Sequence, residues 1–91
     1  MGRITETLRK KLSAAFAPEM LEIQDDSARH AGHSGAGPDG ESHFNITLCA
    51  GAFAGHTRVS RQRMVYKVLA EELAGPVHAL SLTALAPGEG R

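Results

Sequence analysis

A second cysteine is missing. Cys49 stands alone among the 91 residues, so no internal disulfide can form, as suits a reducing compartment. Net charge is missing too. Ten lysine and arginine residues balance ten aspartate and glutamate residues. That argues against a large electrostatic footprint for nucleic acid or an anionic membrane and leaves only a local basic patch open. No window approaches the length of an apolar membrane span, and the N-terminus lacks the apolar core of a secretory signal. The opening MGRITETLRKKLSAAF is basic and hydroxyl-bearing, as transit peptides are, but Glu6 and the regular apolar spacing read as an ordinary first helix. A cytoplasmic chain is expected, with a mitochondrial one as the alternative. G-x-S-x-G and C-x-x-C do not occur, and Cys49 has no evident activating partner, so the chain is expected not to be an enzyme. Internal repeats are absent as well.

What is present fits one small domain over residues 1–91, with a modest core. The 42% of apolar residues suits a globular chain rather than a disordered one. Residues 2–16 predict an amphipathic helix, because Ile4, Leu8, Leu12 and Phe16 recur at every fourth position, and Pro18 stops it. MLEIQD alternates, with Leu21 and Ile23 on one side and Glu22 and Gln24 on the other, and predicts a half-buried strand. In HFNITLCA, Phe44, Ile46 and Leu48 face a core, while His43, Asn45, Thr47 and Cys49 face the open side of a sheet. GAFAGHTRVS is irregular, with one short turn carrying Phe53 inward. VSRQRMVYKVLAEEL predicts a single long helix with Val65, Leu69 and Leu73 as its buried stripe. Ser60 or Thr57 caps it, and Gly75-Pro76 ends it. VHALSLTAL is a third strand, and residues 87–91 are a short polar tail. The order α-β-β-α-β predicts an α/β (α+β) domain with a mixed three-stranded sheet and its helices on one face. The first two strands pair antiparallel, and the second and third run parallel through a right-handed helical crossover.

Between the first two strands lies RHAGHSGAGPDGESHF, with a flexible, glycine-rich loop at about residues 28–41. His30, His33 and His43 sit in this stretch. If the second and third strands are parallel neighbours, His43, His78 and the loop gather at one edge of the sheet. Neutral imidazole binds zinc, copper and iron. Each histidine also has a plainer reading. His33 and His56 read as surface, and His43 reads as a support that holds the loop mouth closed. His78 follows a rigid Gly-Pro, as a ligand or an anchoring residue would. A private zinc site is weakly indicated, because the short spacings of structural zinc ligands are absent. Cys49 also lies at the wrong end of its strand. The open edge reads as half of a site that a partner completes.

DDSARH, ESHF and VYKVLAEEL running into GPVHALSL resemble, as an ordered set, the BolA family, and the likeness covers nearly the whole chain. The resemblance implies the BolA fold, related to class II KH domains. It also implies an adaptor that binds a monothiol glutaredoxin and shares a [2Fe–2S] cluster with it, in iron–sulfur cluster trafficking or iron homeostasis. His78 matches the family's ligand at the start of the last strand. His30 matches the loop ligand by S-x-x-H, with His33 as the alternate. The glutaredoxin's cysteine and a glutathione thiol would complete the set. The resemblance further implies a monomer alone, a heterodimer with the partner, and no cluster in the isolated chain. Two imidazoles in place of two thiolates at one iron raise a cluster's reduction potential, as in Rieske centres. Because imidazole binds in its neutral form, sharing is expected to weaken in acid. Two departures stand out. Arg61-Gln62-Arg63 replaces the family's Arg-His-Arg, and the loop is longer than in compact members. The alternative is a KH-like, nucleic-acid-binding transcriptional regulator, with Arg58, Arg61, Arg63 and Lys67 at the positive end of a helix as DNA contacts. A solvated helix face explains the same charges, and GAFAG has one residue too many for the KH loop G-x-x-G.

Overall fold

The computed structural model describes residues 3–26 and 43–89. Helix α1 spans Arg3–Phe16. Leu8 and Leu12 are buried in the core, and Ile4 and Phe16 pack against it. The helix ends at Ala17, whose N–H donates to the Ser13 carbonyl at 3.0 Å and whose φ is 46°. That left-handed conformation suits glycine better than alanine. Ala17→Gly is therefore expected to raise stability by about 0.5–1 kcal/mol, read as a higher urea midpoint.

Strands β1 (Met20–Asp25), β2 (His43–Cys49) and β3 (Ala79–Leu85) form one sheet in the order β1-β2-β3. β1 pairs antiparallel with β2, placing Leu21 opposite Leu48 and Ile23 opposite Ile46. β3 pairs parallel with β2, placing Leu80, Leu82 and Ala84 opposite Phe44, Ile46 and Leu48. Alternation then sorts the two faces. Phe44, Ile46 and Leu48 are buried against Leu8, Leu12, Val65 and Leu69 of the helices, while Glu22, Gln24, Asn45, Ser81 and Thr83 stay exposed on the other face. This is the mixed sheet, covered on one side, that the pattern predicted.

A 3-10 turn, Gly51–Phe53, carries Phe53 fully into the core. Its ring lies 5.0 Å from that of Phe16, tilted by 40°. Helix α2 starts at Arg58 and ends at Val68, and Thr57 is its cap, accepting the Ser60 N–H at 3.0 Å. The expected single helix is in fact two. Leu69 leaves helical geometry (φ −100°, ψ 19°), and α3 follows over Ala70–Ala74. The hydrogen bonds from the Leu69 N–H to Val65 and from the Leu73 N–H to Leu69 persist across the break, so Val65 and Leu69 remain one buried stripe. α3 carries Glu71 and Glu72 to Lys11 of α1, at 2.9 and 2.8 Å.

Cys49 also differs from its expected place. Strand alternation does set it opposite the core-facing residues, yet it is buried, and its thiol donates to Glu19 Oε2 at 3.4 Å.

A further tie closes the chain end. Arg61 forms a bidentate pair with Glu89, at 2.5 and 2.9 Å, and also donates to the carbonyls of His56 (2.9 Å) and Ala84 (3.1 Å). The Ala86 N–H donates to the same carboxylate at 3.1 Å. Arg61, and then the Ala86 N–H, lower the Glu89 carboxyl from 4.5 to about 2. The ionised form therefore favours the folded state. Its contribution is full above about pH 4.5 and is lost as pH falls toward 2. Across that window the urea midpoint of Glu89→Gln is expected to fall less steeply than that of the native chain.

Candidate metal-ligand edge

The end of β1 and the starts of β2 and β3 lie at one end of the sheet, since Asp25 opposes Phe44 and His43 opposes Ala79. The chain leaves the described structure at Asp26 and returns at His43, and the Asp26 N–H donates to the His43 carbonyl at 2.7 Å. His43 thus ties the ends of the two described segments together through its backbone. On the far side of β2, the Val77 N–H donates to the Glu72 carbonyl at 2.9 Å. Val77 itself is buried, which anchors the backbone just before His78. β3 begins at Ala79 rather than at Val77, so His78 sits just ahead of the strand with its side chain exposed. Its ring lies 6.5 Å from that of His43, with the planes 16° apart. This separation is within the range of offset ring pairs.

The edge therefore presents two imidazoles, one exposed and one half-buried. His30 and His33 lie outside the described residues. Among the described residues no group of three or more His, Cys, Asp or Glu side chains is placed to hold a metal ion. Neutral imidazole is a ligand type suited to zinc, copper and iron. Cys49 lies at the opposite end of β2, about 20 Å away along the seven-residue strand. His56 is exposed and within 2.9 Å of the Ser60 hydroxyl, near the start of α2, and takes no part in the edge.

The basic residues of α2 do not form one patch. At about 100° per residue, Arg58 and Arg61 share a side of the helix, while Arg63 and Lys67 lie roughly 140–180° from Arg58. Arg58, Arg63 and Lys67 are exposed, and Arg61 is engaged by Glu89 and two carbonyls. Glu89 escaped the sequence reading. Its signal was the Pro87-Gly88 pair, a turn signature, and Gly88 does adopt φ 88°.

Residues 12–89 match the family profile described as BolA-like protein. The chain belongs to the BolA family. It is 46% identical over 79 residues to the DNA-binding transcriptional regulator BolA of Escherichia coli, covering 87% of this chain and 71% of that one. It is 39% identical over 90 residues to BolA-like protein 1 of Mus musculus, covering 99% of this chain and 63% of the mouse protein's length. Its fold superposes on the BolA domain of SufE1 from Arabidopsis thaliana with a TM-score of 0.87 and 40% identity, over 99% of both chains. None of the described helices in this BolA-family chain is long and apolar enough to cross a membrane.

Proposed function

We propose that this chain is an adaptor that docks a monothiol glutaredoxin and supplies imidazole ligands to a shared [2Fe–2S] cluster, in iron–sulfur cluster trafficking or iron homeostasis. One observation supports it most: His78 stands exposed ahead of β3, beside His43, at the sheet end where Asp26 and His43 flank the segment that carries His30 and His33 in sequence. His78 and His30 are the assigned ligands, with His33 as the alternate. The partner's cysteine and a glutathione thiol would complete the four terminal donors that the cluster's two irons need. A bound [2Fe–2S] cluster supplies one-electron redox chemistry. The protein's part is to hold a nitrogen donor on a backbone fixed by Val77 and to leave the adjoining face open for a second protein.

Mixing the chain with a monothiol glutaredoxin, glutathione, iron and sulfide, and recording visible absorption and circular dichroism, tests this reading. The native chain is expected to give a spectrum distinct from that of the glutaredoxin alone. An unchanged spectrum with His30→Ala and His78→Ala combined would refute the ligand assignment.

The second reading, a KH-like nucleic-acid-binding transcriptional regulator, draws on the name of the E. coli relative. The divided basic surface of α2 and the engagement of Arg61 make it the weaker of the two. DNA affinity that falls steeply with salt, with a slope reduced by Arg58→Ala and Arg63→Ala, would favour it.

A further inference from the structure

Away from the histidine edge, at the other end of β3, a cavity of about 530 Å³ opens between α2 and the strand. That volume lies within the range of small-ligand sites, roughly 300–1,000 Å³. His56, Arg58, Arg61 and Glu89 form its polar wall, and Leu82 and Leu85 contribute apolar surface. We propose that this cavity is a binding site for a small organic acid, and that the Glu89 carboxylate is its resident occupant.

Arg61 is held from two segments of the chain. Its Nε donates to the His56 carbonyl and one terminal nitrogen to the Ala84 carbonyl, so the guanidinium is fixed in place with its side chain only 11% exposed. A rigid guanidinium fork matches a carboxylate bidentately. The Ala86 N–H adds a third donor at the same position. Glu89 shows that these three donors accept a carboxylate.

The occupant is held by hydrogen bonds rather than by burial. Residues 87–89 are exposed, and the Glu89 side chain remains 44% exposed. An incoming carboxylate would meet the same donors. Arg58 lines the same cavity and has no ion pair among the described residues, so a second carboxylate has a cation available. Leu82 and Leu85 favour a ligand with an apolar body. Binding and release of the tail are then one event.

The test uses the full chain with Glu89→Ala, followed by ¹H–¹⁵N NMR at the Ala86 amide and the Arg61 Nε–H. Sodium acetate at constant ionic strength is expected to shift both signals saturably toward their native positions. Butyrate is expected to bind several-fold more tightly than acetate. The native chain should respond about tenfold more weakly, because its tethered carboxylate competes at a high effective concentration. Glu89→Gln, which keeps side-chain volume and an acceptor oxygen, should respond as Glu89→Ala does, and it carries the test if the alanine variant does not fold. The proposal is overturned by absence of saturation with either acid, by an equal response to acetamide, by an equal response when Arg61→Gln is added, or by saturation with inorganic phosphate but not acetate.

Discussion

Phe53→Ala is expected to lower the free energy of unfolding by about 3–5 kcal/mol. Phe53 is the largest of the fully buried side chains. It sits in a three-residue turn between β2 and α2, where backbone hydrogen bonds restrict collapse: the Phe53 N–H donates to Ala50 and the His56 N–H to Phe53. Truncation removes the contact with the Phe16 ring and leaves a cavity that the turn cannot fill. Small domains are stable by only about 5–15 kcal/mol, so the loss is a large share of the total. Urea unfolding should show a much lower midpoint with an unchanged m-value. A change within about 0.5 kcal/mol, as for a surface site, would contradict the packing described.

His78→Ala is expected to do the reverse. The side chain is exposed and outside the core, so stability should move by no more than about 0.5 kcal/mol. The spectrum of a mixture with a monothiol glutaredoxin should nevertheless return to that of the glutaredoxin and glutathione alone. Phe53→Ala thus damages the fold, and His78→Ala damages only the shared site. His43→Ala separates the roles at the edge further. Its backbone carbonyl, which holds Asp26, survives the substitution, so a full loss of the mixed spectrum would mean that the His43 ring is itself a ligand.

Much of this arrangement was legible in the residues. MLEIQD and the alternation of Phe44, Ile46 and Leu48 have period 2 and clear turn boundaries, and both became strands with the expected face inward. Given those strands, the parallel crossover through α2 brings His78 to the end of the sheet that holds His43. What escaped was tertiary. The break at Leu69 leaves no local mark, because Val65, Leu69 and Leu73 keep helical spacing across it. Cys49 is on the expected side of its strand but is covered through a contact with Glu19, 30 residues away in sequence. The pairing of Arg61 with Glu89 joins a helix to a tail 28 residues on, and no propensity or periodicity encodes such a contact. Arg61 therefore read as an available cation when the fold already engages it.

Under the proposed function, a nitrogen of this chain binds iron in a complex with another protein. The most direct test is pulsed electron paramagnetic resonance on the reduced mixed cluster, prepared with ¹⁵N-histidine in this chain only. ¹⁵N couplings from directly bound imidazole are expected, and they should diminish in His78→Ala. A mixed cluster that shows no such coupling, or the same coupling after His78 is replaced, would contradict it.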